Sequence, residues 1–328
     1  MAGLLRRYLR MYWLKPFDAV NDAANARALL KYPWAEPILE IGSGDGVFSF
    51  IMHGGAFAPA DDRYDHVDPS RAGDIFDVHE RGREPRVTRT ARLRYHVGVD
   101  LKWTHLLKCQ STGLYEHLVQ AAPAPLPFRS EAFRTVFLYF PHGLIEQGRT
   151  VDYAATLAEV RRVLRSDGVL LMTGMNESVK RHFTCSIWSE RFQRAGWERA
   201  AAYCRQLDAG RCQEIGGLSR SIGEWRVLLG QTGFDLVDAW TQVSPTAWRL
   251  YDVQTRPLLR TLILGASWAD RAGLKPLVKA IWMCAWLPIL ALCYAAFGRP
   301  RRLSKDAERA SGLVFAFNAS PIPVQRSR

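Results

Sequence analysis

One stretch constrains this 328-residue chain more than any other: Pro37-Ile38-Leu39-Glu40-Ile41-Gly42-Ser43-Gly44-Asp45-Gly46. It reads as a short buried strand that carries an acid, followed by a turn with glycine at every second position. Val47-Phe48-Ser49-Phe50 then reads as the start of a helix. Glycines at a strand-to-helix junction allow positive φ and let a ligand approach the peptide groups closely.

The spacing of the glycines narrows the ligand. A dinucleotide-binding turn, G-x-G-x-x-G, needs its third glycine at position 47, which holds Val47. A nicotinamide-dependent oxidoreductase is disfavoured on that ground and by the lack of a second nucleotide-binding half. Downstream, short apolar runs at 95–100, 117–121, 134–140 and 169–173 alternate with helical patterns at 102–112 and 152–164. Strands of that kind predict a parallel sheet with helices on both faces. Ligands of such sheets bind outside the carboxyl ends of the strands. Glu40, Gly42, Gly44, Gly46, Asp100 and Tyr139 all fall on that edge and are the candidate cofactor-binding residues.

The run Glu40-x-Gly42-x-Gly44-x-Gly46 resembles motif I of the class I S-adenosyl-L-methionine (SAM)-dependent methyltransferases. Leu126-Pro127-Phe128, Phe133, and the run from Leu157 through Glu159 and Arg162 to Gly168 are similar to the "LPF…F-D-x-V…L-x-E-x-x-R-V-L-x-P-G-G" signature of the type 11-like small-molecule members. Gly223-Glu224-Trp225 through Gly233-Phe234 resembles their late helix before strand six. The resemblance implies an α/β, Rossmann-like, seven-stranded and mostly parallel sheet. Strand six lies at 235–243, and strand seven, at 312–318, is antiparallel between five and six. It also implies SAM as cofactor, with the turn against its methionine part and an acid at the end of strand two on its ribose. Asp100 and Asp68 compete for that last role. Asp100 is followed by helix, strand and LPF loop at ordinary spacing, whereas Asp68 precedes a proline and leaves a long gap. Two positions depart from the pattern: Ala122 stands near where an acid often meets the adenine amine, and Arg134 stands where Asp is usual. Methyl transfer needs alignment and, for an O or N nucleophile, a base. His142, in the loop after strand four, is the leading candidate, with Glu146 and His182 as alternatives.

The remaining segments suggest a location. Residues 1–33 form a helical N-terminal part, 34–175 the SAM-binding core with an irregular insertion at 53–93, and 176–222 a substrate lid. The core ends over 223–245, an apolar helical insertion occupies 246–310, and a final strand and tail follow at 311–328. Residues 280–297 contain no charge. As a helix they reach about 27 Å, the low end for a bilayer. Pro288 interrupts them, and a single crossing would leave strands six and seven on opposite sides. Lys275, Lys279, Arg299, Arg301 and Arg302 flank them, and Leu4, Leu5, Tyr8, Leu9, Tyr12 and Trp13 alternate with arginines at helical spacing near the N-terminus. With a net charge of +12, this predicts a peripheral or monotopic attachment to an anionic membrane surface. No nucleic-acid module is apparent. Six cysteines without metal-ligand spacing predict no metal site and fit a reducing, cytoplasmic setting. Trp248 to Leu258 resembles a "W-D-I-G-x-R-P" segment of bacterial methyltransferases of cell-surface or lipid-linked products. The expected function is therefore SAM-dependent methylation of a small-molecule or lipid- or glycan-linked acceptor at a membrane surface. The alternative is a non-catalytic, membrane-associated interaction protein of the same fold.

Overall fold

The computed structural model describes residues 2–68, 70, 75–139, 152–216, 219–241, 245–253, 258–297, 301–302 and 314–321. Two helices, α1 (Ala2–Met11) and α2 (Pro16–Leu29), precede the central strand β1 (Ile38–Ile41) and the helix α3 (Val47–Met52). The insertion follows, holding β2 (Ala56–Phe57), a 3-10 turn (Arg63–His66) and β3 (Val87–Arg89). Next come β4 (Tyr95–Asp100), α4 (Trp103–Gln110), β5 (Tyr115–Gln120), β6 (Phe133–Leu138), α5 (Tyr153–Val163) and β7 (Leu164–Met175). A second 3-10 turn (Glu177–His182), α6 (Thr184–Arg194), α7 (Glu198–Gly216) and α8 (Ile222–Gln231) lead to β8 (Phe234–Thr241). The last elements are α9 (Pro245–Val253), α10 (Leu259–Arg271), α11 (Lys275–Phe297), β9 (Arg301–Arg302) and β10 (Val314–Pro321).

The main sheet runs in the order β5-β4-β1-β6-β7-β10-β8-β9. Its first five strands are mutually parallel. β10 pairs antiparallel with both β7 and β8, and the two-residue β9 adds an eighth strand on the outer side of β8. Because strand side chains alternate, neighbours in β1 face opposite cores. Leu39 and Ile41 join Val136, Leu138 and Leu170 under α5 and α8, where Leu157, Val160 and Trp225 are buried. Ile38, Phe137 and Leu171 join a second core with Phe17 and Val20 of α2, Phe50 of α3 and Leu290 and Tyr294 of α11. Burial on both faces is what makes these strands unbroken apolar runs.

Three expectations are corrected. The N-terminal helix packs on its own domain: Leu5, Tyr8, Leu9, Tyr12 and Trp13 are all buried, with the Tyr8 hydroxyl donating to the Phe48 carbonyl at 2.8 Å. Its apolar face is therefore closed to a membrane. α11 runs unbroken through Pro288. The insertion is less irregular than its composition suggests, since β2 and β3 form a small antiparallel ribbon.

Candidate functional site

The three central strands set the site. Ile41 pairs with Val99 on one side and Leu138 on the other, so β4, β1 and β6 end together at one edge. The turn leaves that edge under tight control. The amides of Gly42 and Ser43 both donate to the Val99 carbonyl, at 2.8 and 3.0 Å, and the Tyr139 amide donates to the Ile41 carbonyl at 3.3 Å. Gly42, Gly44 and Gly46 have φ of 79°, 56° and 72°. Each is in the left-handed region, which a residue with Cβ adopts only at a cost of about 1–2 kcal/mol. This is the physical reason for glycine at alternate positions. Val47, by contrast, is the first residue of α3, buried in the second core, where a side chain is required.

The three glycines do different work. A Cβ on Gly46 would lie 2.8 Å from the Cys109 sulfur and 3.3 Å from the Tyr115 ring. Gly46 is glycine because α4 and β5 close in on it. A Cβ on Gly44 would meet no atom within 4 Å. The turn thus presents an open cradle at Gly44, where a ligand can touch backbone.

Asp100, buried at the end of β4, ties this cradle to the neighbouring strand. Its carboxylate accepts from the Gly44 amide and from the Lys102 amide, each at 2.9 Å, and lies 3.3 Å from His105 Nδ1. Asp68, its competitor, sits in the insertion outside the sheet; its amide donates to the Ile75 carbonyl and its carboxylate accepts from the Ser70 amide. That is the local turn chemistry of an aspartate before proline.

Glu40 has a different surrounding from the one expected of a ligand contact. Its side chain is buried in the second core, accepting from Tyr115 Oη at 2.6 Å and Ser49 Oγ at 2.8 Å. Burial pushes its carboxyl up to about 8, against the pull of those two hydrogen bonds, with Asp100 adding to the rise. The geometry makes it a brace between β1, α3 and β5. Gly98 serves the same brace, since a Cβ there would lie 2.7 Å from the Tyr115 ring.

Tyr139 follows β6 directly and stacks on Phe48 of α3, ring centroids 4.4 Å apart. Its hydroxyl donates to Asp22 Oδ1 at 3.1 Å. Asp22, on α2, is a residue the sequence reading missed. Burial raises its carboxyl, Asp18 adds to the rise, and hydrogen bonds from Tyr12 and Tyr139 pull back, leaving it at about 7. Asp45, in the turn itself, pairs with Arg63 of the insertion at 3.0 Å. Burial works to raise Asp45, but Arg63, Lys108 and His105 outweigh it and hold the carboxyl below its ordinary range. The Arg63 guanidinium lies over Tyr12 and Phe76, at 4.9 and 4.6 Å from the ring centroids. The insertion therefore folds back onto the glycine turn.

His142 and Glu146 lie in 140–151, outside the described residues. His182 ends the 3-10 turn after β7, its Nδ1 3.3 Å from an Arg249 guanidinium nitrogen. The LPF loop is held by the helix behind it. Arg162 donates to the carbonyls of Phe128 and Leu126 at 2.7 and 3.0 Å, while Glu159 accepts from the Leu126 amide at 2.7 Å and pairs with Arg162. This clamp gives the E-x-x-R spacing its physical meaning. Among the described residues no group of His, Cys, Asp and Glu could hold a metal ion.

No family model and no curated protein matches the sequence. Solved structures similar to this chain include several SAM-dependent methyltransferases and a [4+2]-cyclase. One from Thermotoga maritima, described as a possible histamine N-methyltransferase, is 11% identical over 98% of this chain and 99% of that one, with a TM-score of 0.48. One from Thiobacillus denitrificans, in complex with S-adenosyl-L-homocysteine, is 13% identical over 92% of this chain and 90% of its own, with a TM-score of 0.41. Another such complex, from Geobacter sulfurreducens, is 13% identical over 90% of each chain, with a TM-score of 0.40.

Proposed function

We propose that the chain is a SAM-dependent methyltransferase of the class I arrangement, acting on a small-molecule or lipid- or glycan-linked acceptor. The observation that carries this reading is the cradle at Gly44. It opens at the carboxyl edge of three parallel strands, in a turn whose glycines are all left-handed, with Asp100 from the adjacent strand fixed against it. SAM, when bound, supplies a methyl group already activated on a sulfonium.

The chain's own residues then have separate tasks. Backbone groups of Gly42–Gly46 receive the amino-acid end of the ligand, and Asp100 offers carboxylate oxygens to vicinal hydroxyls. The LPF loop, clamped by Glu159 and Arg162, covers the base through backbone and apolar groups, as Ala122 offers no carboxylate. Glu40 holds the turn from inside. Tyr139, just past β6 at the carboxyl edge, holds Asp22 of α2 by a hydrogen bond. A carboxyl poised near 7 is suited to take a proton from an O or N nucleophile at neutral pH. His142 is the other base in this reading. The helices α6 and α7, with exposed Trp188 and Tyr203 on them and exposed Trp197 between them, are the substrate lid.

Calorimetric titration tests the reading: S-adenosyl-L-homocysteine binds and NAD does not. NAD binding in place of S-adenosyl-L-homocysteine would refute it. Incubating cell extract with methyl-labelled SAM separates an enzyme from a non-catalytic binding module, since only the former transfers label. Asp22→Asn and His142→Ala then assign the base. The true base variant loses about 10²–10⁴-fold in kcat and keeps its cofactor affinity.

A further inference from the structure

The helix α11 has two unlike faces. Lys275, Lys279, Leu290 and Tyr294 are buried against the protein. Leu277, Ile281, Ala285, Ile289, Leu292 and Ala296 are exposed and recur at helical spacing. That outer stripe contains no polar side chain over about 28 Å at 1.5 Å per residue. Leu292, Trp268 of α10 and Ile281 are 72%, 69% and 63% exposed. A contiguous apolar surface of this extent marks an interaction site.

We infer that the outer face of α10 and α11 docks on an anionic lipid surface, with α11 lying in the interface rather than crossing it. Three observations choose this occupant. First, β8 and β10, on either side of α9–α11 in the chain, pair in one sheet, so the helices leave and return on the same side. Second, residues 254–305 contain nine basic residues and one acid, Asp270, and seven of the nine remain once the inward-turned Lys275 and Lys279 are set aside. Such a surface attracts anionic headgroups and would repel a second copy of itself. Third, an exposed Trp beside an apolar stripe suits the interfacial depth.

The structure also revises how the charge is supplied. Lys275 and Lys279 do not face lipid: Lys279 donates to the Asp61 carbonyl at 2.7 Å and to Asp62 Oδ2 at 3.1 Å, and Lys275 pairs with Asp62 and Asp65. Among the described residues, headgroup contact falls to Arg260 and Arg271, both exposed on α10. This docking surface does not depend on which cofactor the turn binds.

The test is co-sedimentation of the full chain with phosphatidylcholine vesicles, with and without phosphatidylglycerol. The wild type should pellet with the anionic vesicles and stay in solution with the neutral ones. Ile281→Glu/Leu292→Glu should lower the bound fraction at least tenfold without changing the melting temperature or S-adenosyl-L-homocysteine titration. Ile281→Ala/Leu292→Ala should lower it less. Three results would overturn the inference: wild type that ignores anionic vesicles, equal binding to both vesicle types, or a dimer in solution that the glutamate pair turns into monomer.

Discussion

Alanine placed separately at Gly44 and Gly46 discriminates a ligand-facing glycine from a packing one. Both residues have positive φ, 56° and 72°, so each alanine starts with a backbone cost of about 1–2 kcal/mol. The surroundings then divide them. The new methyl at 44 meets no protein atom within 4 Å, whereas at 46 it lies 2.8 Å from the Cys109 sulfur and 3.4 Å from Thr112 Cγ2. Cys109 is fully buried, so its helix or the turn must shift, which adds roughly 1–3 kcal/mol. Gly46→Ala should therefore lose about 2–5 kcal/mol of stability and Gly44→Ala only about 1–2 kcal/mol. Affinity should follow the opposite order. The methyl at 44 enters the space assigned to the ligand, and a tenfold loss for S-adenosyl-L-homocysteine corresponds to about 1.4 kcal/mol. Urea unfolding measures the first quantity and calorimetric titration the second. Adding Cys109→Ala to Gly46→Ala should restore about 1 kcal/mol or more as a coupling energy. Unchanged affinity in Gly44→Ala would refute the cradle as the ligand site, and equal stability of the two variants would refute the packing argument.

The buried Glu40, raised from 4.5 to about 8, keeps its proton in the fold where the unfolded chain would lose it. Its contribution is full below about pH 4.5 and lost as pH rises through about 8, on the order of 3–5 kcal/mol. Urea unfolding followed from about pH 5 to pH 9 should show that decline, nearly complete just above pH 8, in the wild type and not in Glu40→Gln. His53 is lowered from 6.5 to about 4 by burial, so its contribution is present above about pH 6.5 and lost as pH falls through about 4. His53→Gln should flatten the acid limb of the same stability profile. Asp62→Asn removes the carboxylate that meets Trp13 Nε1, Lys275 and Lys279. Thermal and urea unfolding should show a loss of about 3 kcal/mol, because Lys279 is left buried without its charge partner. Arg162→Ala frees the carbonyls of Leu126 and Phe128. It should cost about 1–2 kcal/mol and weaken S-adenosyl-L-homocysteine binding in calorimetry.

What was legible in the sequence depended on how local its cause was. The glycine turn could be read because positive φ is a property of single residues at fixed spacing, and Val47 could be read because a dinucleotide-binding turn needs glycine at that position. Asp100 followed from counting elements, since β4, α4 and β5 come at ordinary distances behind it. The E-x-x-R spacing at Glu159 and Arg162 was visible, but not the loop it clamps, 33–36 residues earlier in the chain. Asp22 gave no signal: its partner Tyr139 lies 117 residues away, and nothing in the local run of α2 marks it. Lys275 and Lys279 show the opposite failure. Their charge was plain and their direction was not, because Asp62 and Asp65, more than 200 residues earlier, turn them inward.

The same inward pair explains why the insertion belongs to the site. Asp62 is the N-cap of the 3-10 turn that carries Arg63, and Arg63 reaches Asp45 in the glycine turn. On its other side Asp62 holds Trp13, which follows α1, and Lys275 and Lys279 of α11. Trp282 of α11 donates to the Trp13 carbonyl at 2.7 Å, and Trp286 packs edge-on against Phe17 of α2, the helix of Asp22. A chain of polar and aromatic contacts therefore joins the glycine cradle, the helix bearing the candidate base and the inner face of α11. Buried networks of this kind are costly to break one partner at a time, so these parts are held as one body. A lipid surface under α11 would then fix the orientation of the acceptor side of the cradle relative to the bilayer. The insertion links the cofactor turn to α11 by way of Asp45, Arg63 and Asp62.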